Sequence, residues 1–209
     1  MKLKRIALLM LLVLVASVIA ACGGDDDDGG DSGDSGNSGG TELSESFSTE
    51  GGFSVNHPSG WAAQGDDLEG VTLASNESAL TEFNESDVPN FEAVDSGSVI
   101  INMQALPFPV DMGTPSEIFG MMTGEVSEDD PFTPGEPTDV TVGDIEGVRA
   151  PLNFGEAVQG EGNGNMYILR ADDSSLLLAI VVAAGDIDNG LVESILATVS
   201  VPAVEGAEG

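Results

Sequence analysis

The stretch GGFSVNHPSGW, residues 51–61, sets the period by which the rest of the chain is read. Phe53 and Val55 alternate with Ser54 and Asn56, the pattern of a strand with one face buried. Pro58 and Gly60 then break it, because proline withholds a backbone donor and glycine supplies turn conformations. Trp61 follows at once, a large apolar ring expected in the core. A strand and a tight turn, the opening of a hairpin, are the expectation here.

The same alternation recurs in VTLAS (71–75), SVIINMQAL (98–106), DVTVGD (139–144), VRAPLNF (148–154) and NMYILRA (165–171). LLLAIVVAA (176–184) is a continuous apolar run of the buried-strand kind. Glycine-rich breaks at GDIEG (143–147) and GEGNGN (160–165) read as hairpin turns. Three segments change to a helical period. SNESALTEF (75–83) is short. TPSEIFGMMTGEVSE (114–128) opens with Thr114 at the N-cap, Pro115 at N1 and Glu117 at N3, a capping box. Its residues Ile118, Phe119, Met122 and Val126 share one face. DNGLVESILATV (188–199) has Asp188 as N-cap and Leu191, Val192, Ile195, Leu196 and Val199 on one face. Breaks of hairpin length leave few crossovers for parallel pairing. The expected class is therefore α+β, a mainly antiparallel sheet covered by helices.

The wording and order of these elements resemble PsbP-like domains. GGFSVNHPSGW is similar to that family's opening hairpin, roughly Gly-Phe-x-x-x-Tyr-Pro-x-Gly-Trp, with His57 where the pattern usually has Tyr. EGVTLASNESAL, a meander of strands and the closing LVESILATVSV helix keep the family's order. The resemblance implies an α/β/α sandwich over residues 45–203. The family includes thylakoid photosystem accessory proteins, a Ran-binding nuclear import factor and many bacterial lipoproteins. It has no common catalytic residues, so a binding or scaffolding role is what it implies.

Residues 1–21 read as a lipoprotein signal peptide: Lys2, Lys4 and Arg5 precede an apolar run that ends in Ala20 and Ala21. Ile19-Ala20-Ala21-Cys22 resembles the bacterial lipobox, whose cysteine is acylated and becomes the mature N-terminus. Cys22 is the chain's sole cysteine, so an internal disulfide is impossible, and His57 is the sole histidine, so a Cys/His metal site lacks ligands. Residues 22–44 are expected to be this acylated cysteine and a disordered tether. Positions 23–40 hold only Gly, Asp, Ser and Asn, with no apolar side chain to offset backbone entropy. A flexible coil of that length reaches ~20–25 Å. GDSG and GNSGG within it imitate hydrolase motifs by letter, without the strand and helix that a nucleophile elbow needs. Residues 204–209 are expected to be a disordered tail.

Three of the five Lys and Arg lie in the signal, leaving Arg149 and Arg170 against 37 Asp and Glu. Such a surface repels nucleic acid and anionic headgroups, which rules out an ordinary nucleic-acid binder. Arg149 and Arg170 are expected to neutralise nearby carboxylates, or to mark the one place that tolerates an anionic group. His57, beside Pro58, is expected to be structural. Asp186, Asp188 and Glu193 in DIDNGLVE (186–193) are weak metal candidates that lack the full ligand set of a calcium loop. Helix capping accounts for Asp188 and the helix dipole for Asp186. The pairs Asp66-Asp67, Asp129-Asp130 and Asp172-Asp173 are expected to face water on turns. Met103, Met112, Met121, Met122 and Met166 follow no close repeat and read as core filler. Asn76 and Asn84 match the glycosylation sequon, which means little behind a bacterial signal.

The expected protein is an extracytoplasmic lipoprotein, held at the cell membrane by lipid on Cys22. Its domain binds or scaffolds without catalysis or cofactor, and its partner is an envelope protein or small ligand. The alternative is an acidic surface protein that binds divalent cations. One consequence follows from charge alone. Self-repulsion of the acidic surface is screened over ~8 Å at physiological salt. The melting temperature should rise between low salt and molar NaCl, and a flat or falling melting temperature would contradict a salt-adapted surface.

Overall fold

The structure, a computed structural model, describes residues 41–66, 70–86, 88–107, 113–124, 130–172 and 174–201. The expected signal peptide, Cys22, residues 23–40 of the tether, the tail 204–209, and Asp67, Met112, Val126, Asp129 and Asp173 lie outside the described residues. In chain order the elements are β1 Glu45–Ser48, β2 Ser54–His57, β3 Ala62–Asp66, β4 Gly70–Ala74, α1 Glu77–Glu85 and β5 Val99–Pro107. Next come α2 Pro115–Thr123, β6 Phe132–Pro134, β7 Thr138–Val142, β8 Ile145–Phe154, β9 Asn163–Arg170, β10 Ser175–Ala183 and α3 Asn189–Leu196.

Strands β3-β4-β5-β10-β9-β8-β6 form one sheet in that order, with β7 also paired to β8. Every pairing in it is antiparallel. The ten residues of β8 serve two partners on one edge, β7 near its start and β6 at its end. Gly143, at φ +59°, supplies the left-handed backbone that the two-residue β7–β8 turn requires.

Strand alternation then builds two cores. In β10, Leu176, Leu178 and Val182 join the core under α1 and α2, with Ala79, Leu80, Ile118 and Phe119. Leu177, Ala179 and Val181 join the opposite core, with Val192, Ile195 and Leu196 of α3 and with Phe53 and Val55 of β2. A strand covered on both faces must be apolar throughout, which is why β10 reads as an unbroken run. Helices thus lie on both faces of the sheet, the α/β/α arrangement.

Capping fixes where each helix starts. The Asn76 side chain accepts from Ala79 N at 2.8 Å and donates to Ser98 Oγ at 3.0 Å. Thr114 and Glu117 close the capping box on α2, which holds the Glu117 carboxyl below its ordinary pKa through hydrogen bonds from Thr114. Asp188 Oδ1 accepts from Leu191 N at 3.1 Å and starts α3.

Several expectations are corrected. Residues 53–61 do not form a hairpin by themselves: β2 pairs backward with β1, and His57 to Trp61 turns the chain toward the large sheet. On its other side β2 bonds Ser200 through reciprocal Ser54–Ser200 hydrogen bonds of 2.9 Å. The helix expected over 114–128 is Pro115–Thr123, capped by Gly124. Gly120 and Gly124 each lower helix propensity there. The first helix spans 77–85 rather than 75–83, and the last ends at Leu196. Half of GEGNGN is strand, since β9 starts at Asn163. Strands β1, β3 and β6 carry no clear alternation. In β3, Gly65 at φ +144° sits where a Cβ would lie 2.1 Å from the Gly70 carbonyl oxygen, so no side chain fits. Of the methionines, Met103 and Met166 are buried, whereas Met121 is 56% exposed.

Leu177→Ala, in the middle of the doubly covered strand, should lower unfolding free energy by about 2–5 kcal/mol. Met121→Ala should change it by less than about 0.5 kcal/mol. Urea unfolding of the two variants beside the parent checks both.

Candidate binding cleft

Eight of the nine residues of β10 are buried, and Ile180 is the exception. It lies mid-strand on the face that α1 and α2 cover, between Asn102 of β5 and Met166 of β9. A central-strand side chain stays accessible only where the covering layer has a gap. That gap is a cleft of about 220 Å³. Its floor is Ile100, Asn102, Ile180 and Val182. Phe83 of α1, Phe91 of the following loop and Phe132 of β6 form its sides. The Phe91 ring meets Phe154 edge to face, centroids 5.2 Å apart, and Phe91 N donates to Gln159 O at 2.8 Å. That side of the cleft is therefore pinned to the β8–β9 loop.

The polar lining is sparse. Asn102 on the floor donates from Nδ2 to Thr72 Oγ1 of the neighbouring β4 at 2.9 Å. At the C-terminal end of α1, Ser86 Oγ donates to Glu82 Oε1 at 2.5 Å. A second hollow of about 380 Å³ lies at the start of α2 against β7 and β8. It is polar and broad, and Ser116 Oγ there already donates to Asp139 Oδ1 at 3.2 Å. The apolar cleft is the better candidate, because wet apolar surface is what a ligand gains most by covering.

The residues singled out from sequence lie elsewhere. His57 is buried at the end of β2, its Nδ1 3.1 Å from Pro58 O and 4.0 Å from Glu45 Oε2. Trp61 is half-buried against the α3-side core. Asp186 is exposed and Asp188 caps α3, while Glu193 Oε1 accepts from Arg149 Nη1 at 2.9 Å. Among the described residues no group of three His, Cys, Asp or Glu is placed to hold a metal. Arg149 neutralises a carboxylate as expected. Arg170 instead donates to the Gly113 carbonyl. Asp66 and Asp172 are exposed, and Asp172 Oδ1 accepts from Ser174 N at 2.6 Å in the β9–β10 turn.

Sequence reasoning missed the cleft. The available signal was polar: Asn102 follows Ile100 on one face of β5, and Thr72 precedes Ala74 on the matching face of β4. Phe83, Phe91 and Phe132 come from three separate segments, and nothing local marks them as neighbours.

The geometry defines a class: an antiparallel sheet between two helical layers, with an apolar cleft over its central strand. The solution structure of the cyanobacterial PsbP (CyanoP) from Synechocystis sp. PCC 6803 is similar to it at TM-score 0.43 and 11% identity, over 79% of this chain and 98% of that one. A 1.50 Å crystal structure from Bacteroides thetaiotaomicron VPI-5482 is similar at TM-score 0.49 and 15% identity. That likeness covers 77% of this chain, which spans about half, 49%, of the other. At these scores and identities neither neighbour bears on activity. No protein-family model matches the chain, and no curated protein matches it.

On the opposite face, Tyr167 lies buried beneath α3 and donates to Asn189 Oδ1 at 3.3 Å, an oxygen that also accepts from Asn165 Nδ2 at 3.0 Å. Burial pushes its phenol above the ordinary value; the Glu193 charge adds to this and Arg149 opposes it. The folded state therefore holds this proton more tightly than the unfolded chain does. The resulting stability is complete below pH ~10, the ordinary value, and is lost as pH rises through the raised folded value. Tyr167 is the only tyrosine, so tyrosinate absorbance reports it alone. Its midpoint should lie higher in the native protein than in urea, and Tyr167→Phe should flatten the alkaline loss of stability.

Proposed function

We propose that this chain is an extracytoplasmic lipoprotein, anchored by acyl chains on Cys22, whose folded domain binds a small ligand without transforming it. The cleft carries the binding half of this reading. It is an apolar, aromatic-walled hollow that opens over the most buried strand of the sheet. Leaving such surface wet costs roughly 25 cal/mol per Å², and a small ligand removes that cost. The polar groups around it, Glu82, Ser86, Asn90 and Asn102, suit orientation of a ligand. His57, the chain's one candidate imidazole base, stands at the end of β2 and not in the cleft.

The anchoring half is supported by Ile19-Ala20-Ala21-Cys22 behind a basic and apolar leader. Stable attachment needs more than one acyl chain, as lipobox cysteines receive. The domain's charge points the same way: over residues 45–203 two cations stand against 28 acids, and anionic headgroups repel that surface. Among the described residues no helix is long and apolar enough to cross a membrane. The Gly/Asp/Ser stretch then serves as a spacer between lipid and domain.

Expressed in a bacterial host, the full chain should remain with membranes and enter the detergent phase on phase separation. Cys22→Ser should move it to the aqueous phase with the domain still folded. Detergent-phase partition of Cys22→Ser would overturn the anchor.

A further inference from the structure

Taking the cleft as the ligand site, which is the reading above, we infer that its ligand is a small organic cation: an ammonium group carrying an alkyl or aryl body. Size sets the first limit. A dry apolar cavity of ~150 Å³ accepts benzene, so about 220 Å³ takes one ring or a branched alkyl group with its polar head. Chemistry sets the second. Phe83, Phe91 and Phe132 offer aromatic surface on separate sides, and the ring face attracts a cation once water is excluded. A hydrated metal ion is a poor occupant, since it wants six or more oxygen ligands.

Electrostatics supplies the sign. The nine-residue α1 places Glu82 and Glu85 in its last turn and has no basic residue there. The C-terminal end of a helix already carries partial negative charge, so carboxylates at that end oppose the helix dipole. Glu82 stands at the cleft itself, beside Ser86. Neither Arg149 nor Arg170 lines the cleft; one bonds Glu193 and the other the Gly113 carbonyl. An anion entering there meets a carboxylate, helix carbonyls and the field of a chain with formal charge −32. A cation meets the same groups as partners, and the wider field raises its local concentration.

Three probes of one shape separate the possibilities: benzylamine, benzyl alcohol and benzoate, titrated calorimetrically into the full chain at neutral pH and fixed salt. Protonated benzylamine should bind about tenfold more tightly than benzyl alcohol, the scale of one close charge contact. Benzoate should bind more weakly than either. Glu82→Gln should reduce the amine's advantage while leaving the alcohol's affinity in place. Ile180→Phe, filling the floor, should abolish binding of both. Intermolecular NMR contacts from the amine to the rings of Phe83 and Phe132 in the parent chain place it without any variant. Benzoate binding as tightly as the amine would overturn the charge assignment and leave the cleft standing as a ligand site. No response from any probe, or amine contacts elsewhere on the domain, would overturn the cleft itself.

Discussion

Alternate side chains of β10 feed two separate cores, and that double burial obliges the chain to supply a covering layer on each face. Leu177, Ala179 and Val181 need α3 and the β1–β2 pair; Leu176, Leu178 and Val182 need α1 and α2. The remaining features of the domain answer this demand. Each helix is positioned by a side-chain cap, Asn76, Thr114 or Asp188, so that its apolar stripe meets the sheet. The closing segment returns to bond β2 through Ser200, which ties the small hairpin into the α3-side layer.

The same demand accounts for the cleft. Neighbouring strands lie ~4.8 Å apart, so the seven strands in line from β3 to β6 span roughly 30 Å. Two helices of ~10 Å diameter cannot roof that width. Loop residues such as Phe91 and the short β6 complete the cover incompletely, and Ile180 stays accessible beneath the opening. The floor carries one polar side chain, Asn102, whose amide is satisfied by Thr72 of the neighbouring β4.

Charge scarcity shapes the other face. With so few cations, Arg149 is placed where it neutralises Glu193 on α3 above the buried Tyr167. Both members of that pair are about a third exposed, so the contact orients α3 more than it stabilises the domain. Asn189 and Asn165 continue the polar seam by satisfying the phenol without charge. Helix ends elsewhere rely on neutral or acidic caps, consistent with a chain that has no lysine beyond its first residues.

Much of the fold was legible because the information is local. Period-two alternation marked β4, β5, β7, β8 and β9, and the unbroken run of β10 announced a strand covered twice. The Thr114–Glu117 box and Asp188 located two helix starts. Elements without a local signature escaped. β1 has little apolar content, β3 is built of small and polar residues around Gly65, and β6 is three residues long; each exists because a neighbour offers it a hydrogen-bonding edge. The partner of β2 was misread for the same reason, since a strand's sequence specifies its faces but not which edge it joins. The sequence by itself determined the acidic composition, the cysteine set behind an apolar run, the strand faces and the helix starts, all properties of residues within one turn or strand of each other. Tertiary structure alone decided that Phe83, Phe91, Phe132 and Ile180 share one hollow. Those side chains meet only after sheet order and helix length are fixed, and no periodicity in the chain records a gap between elements.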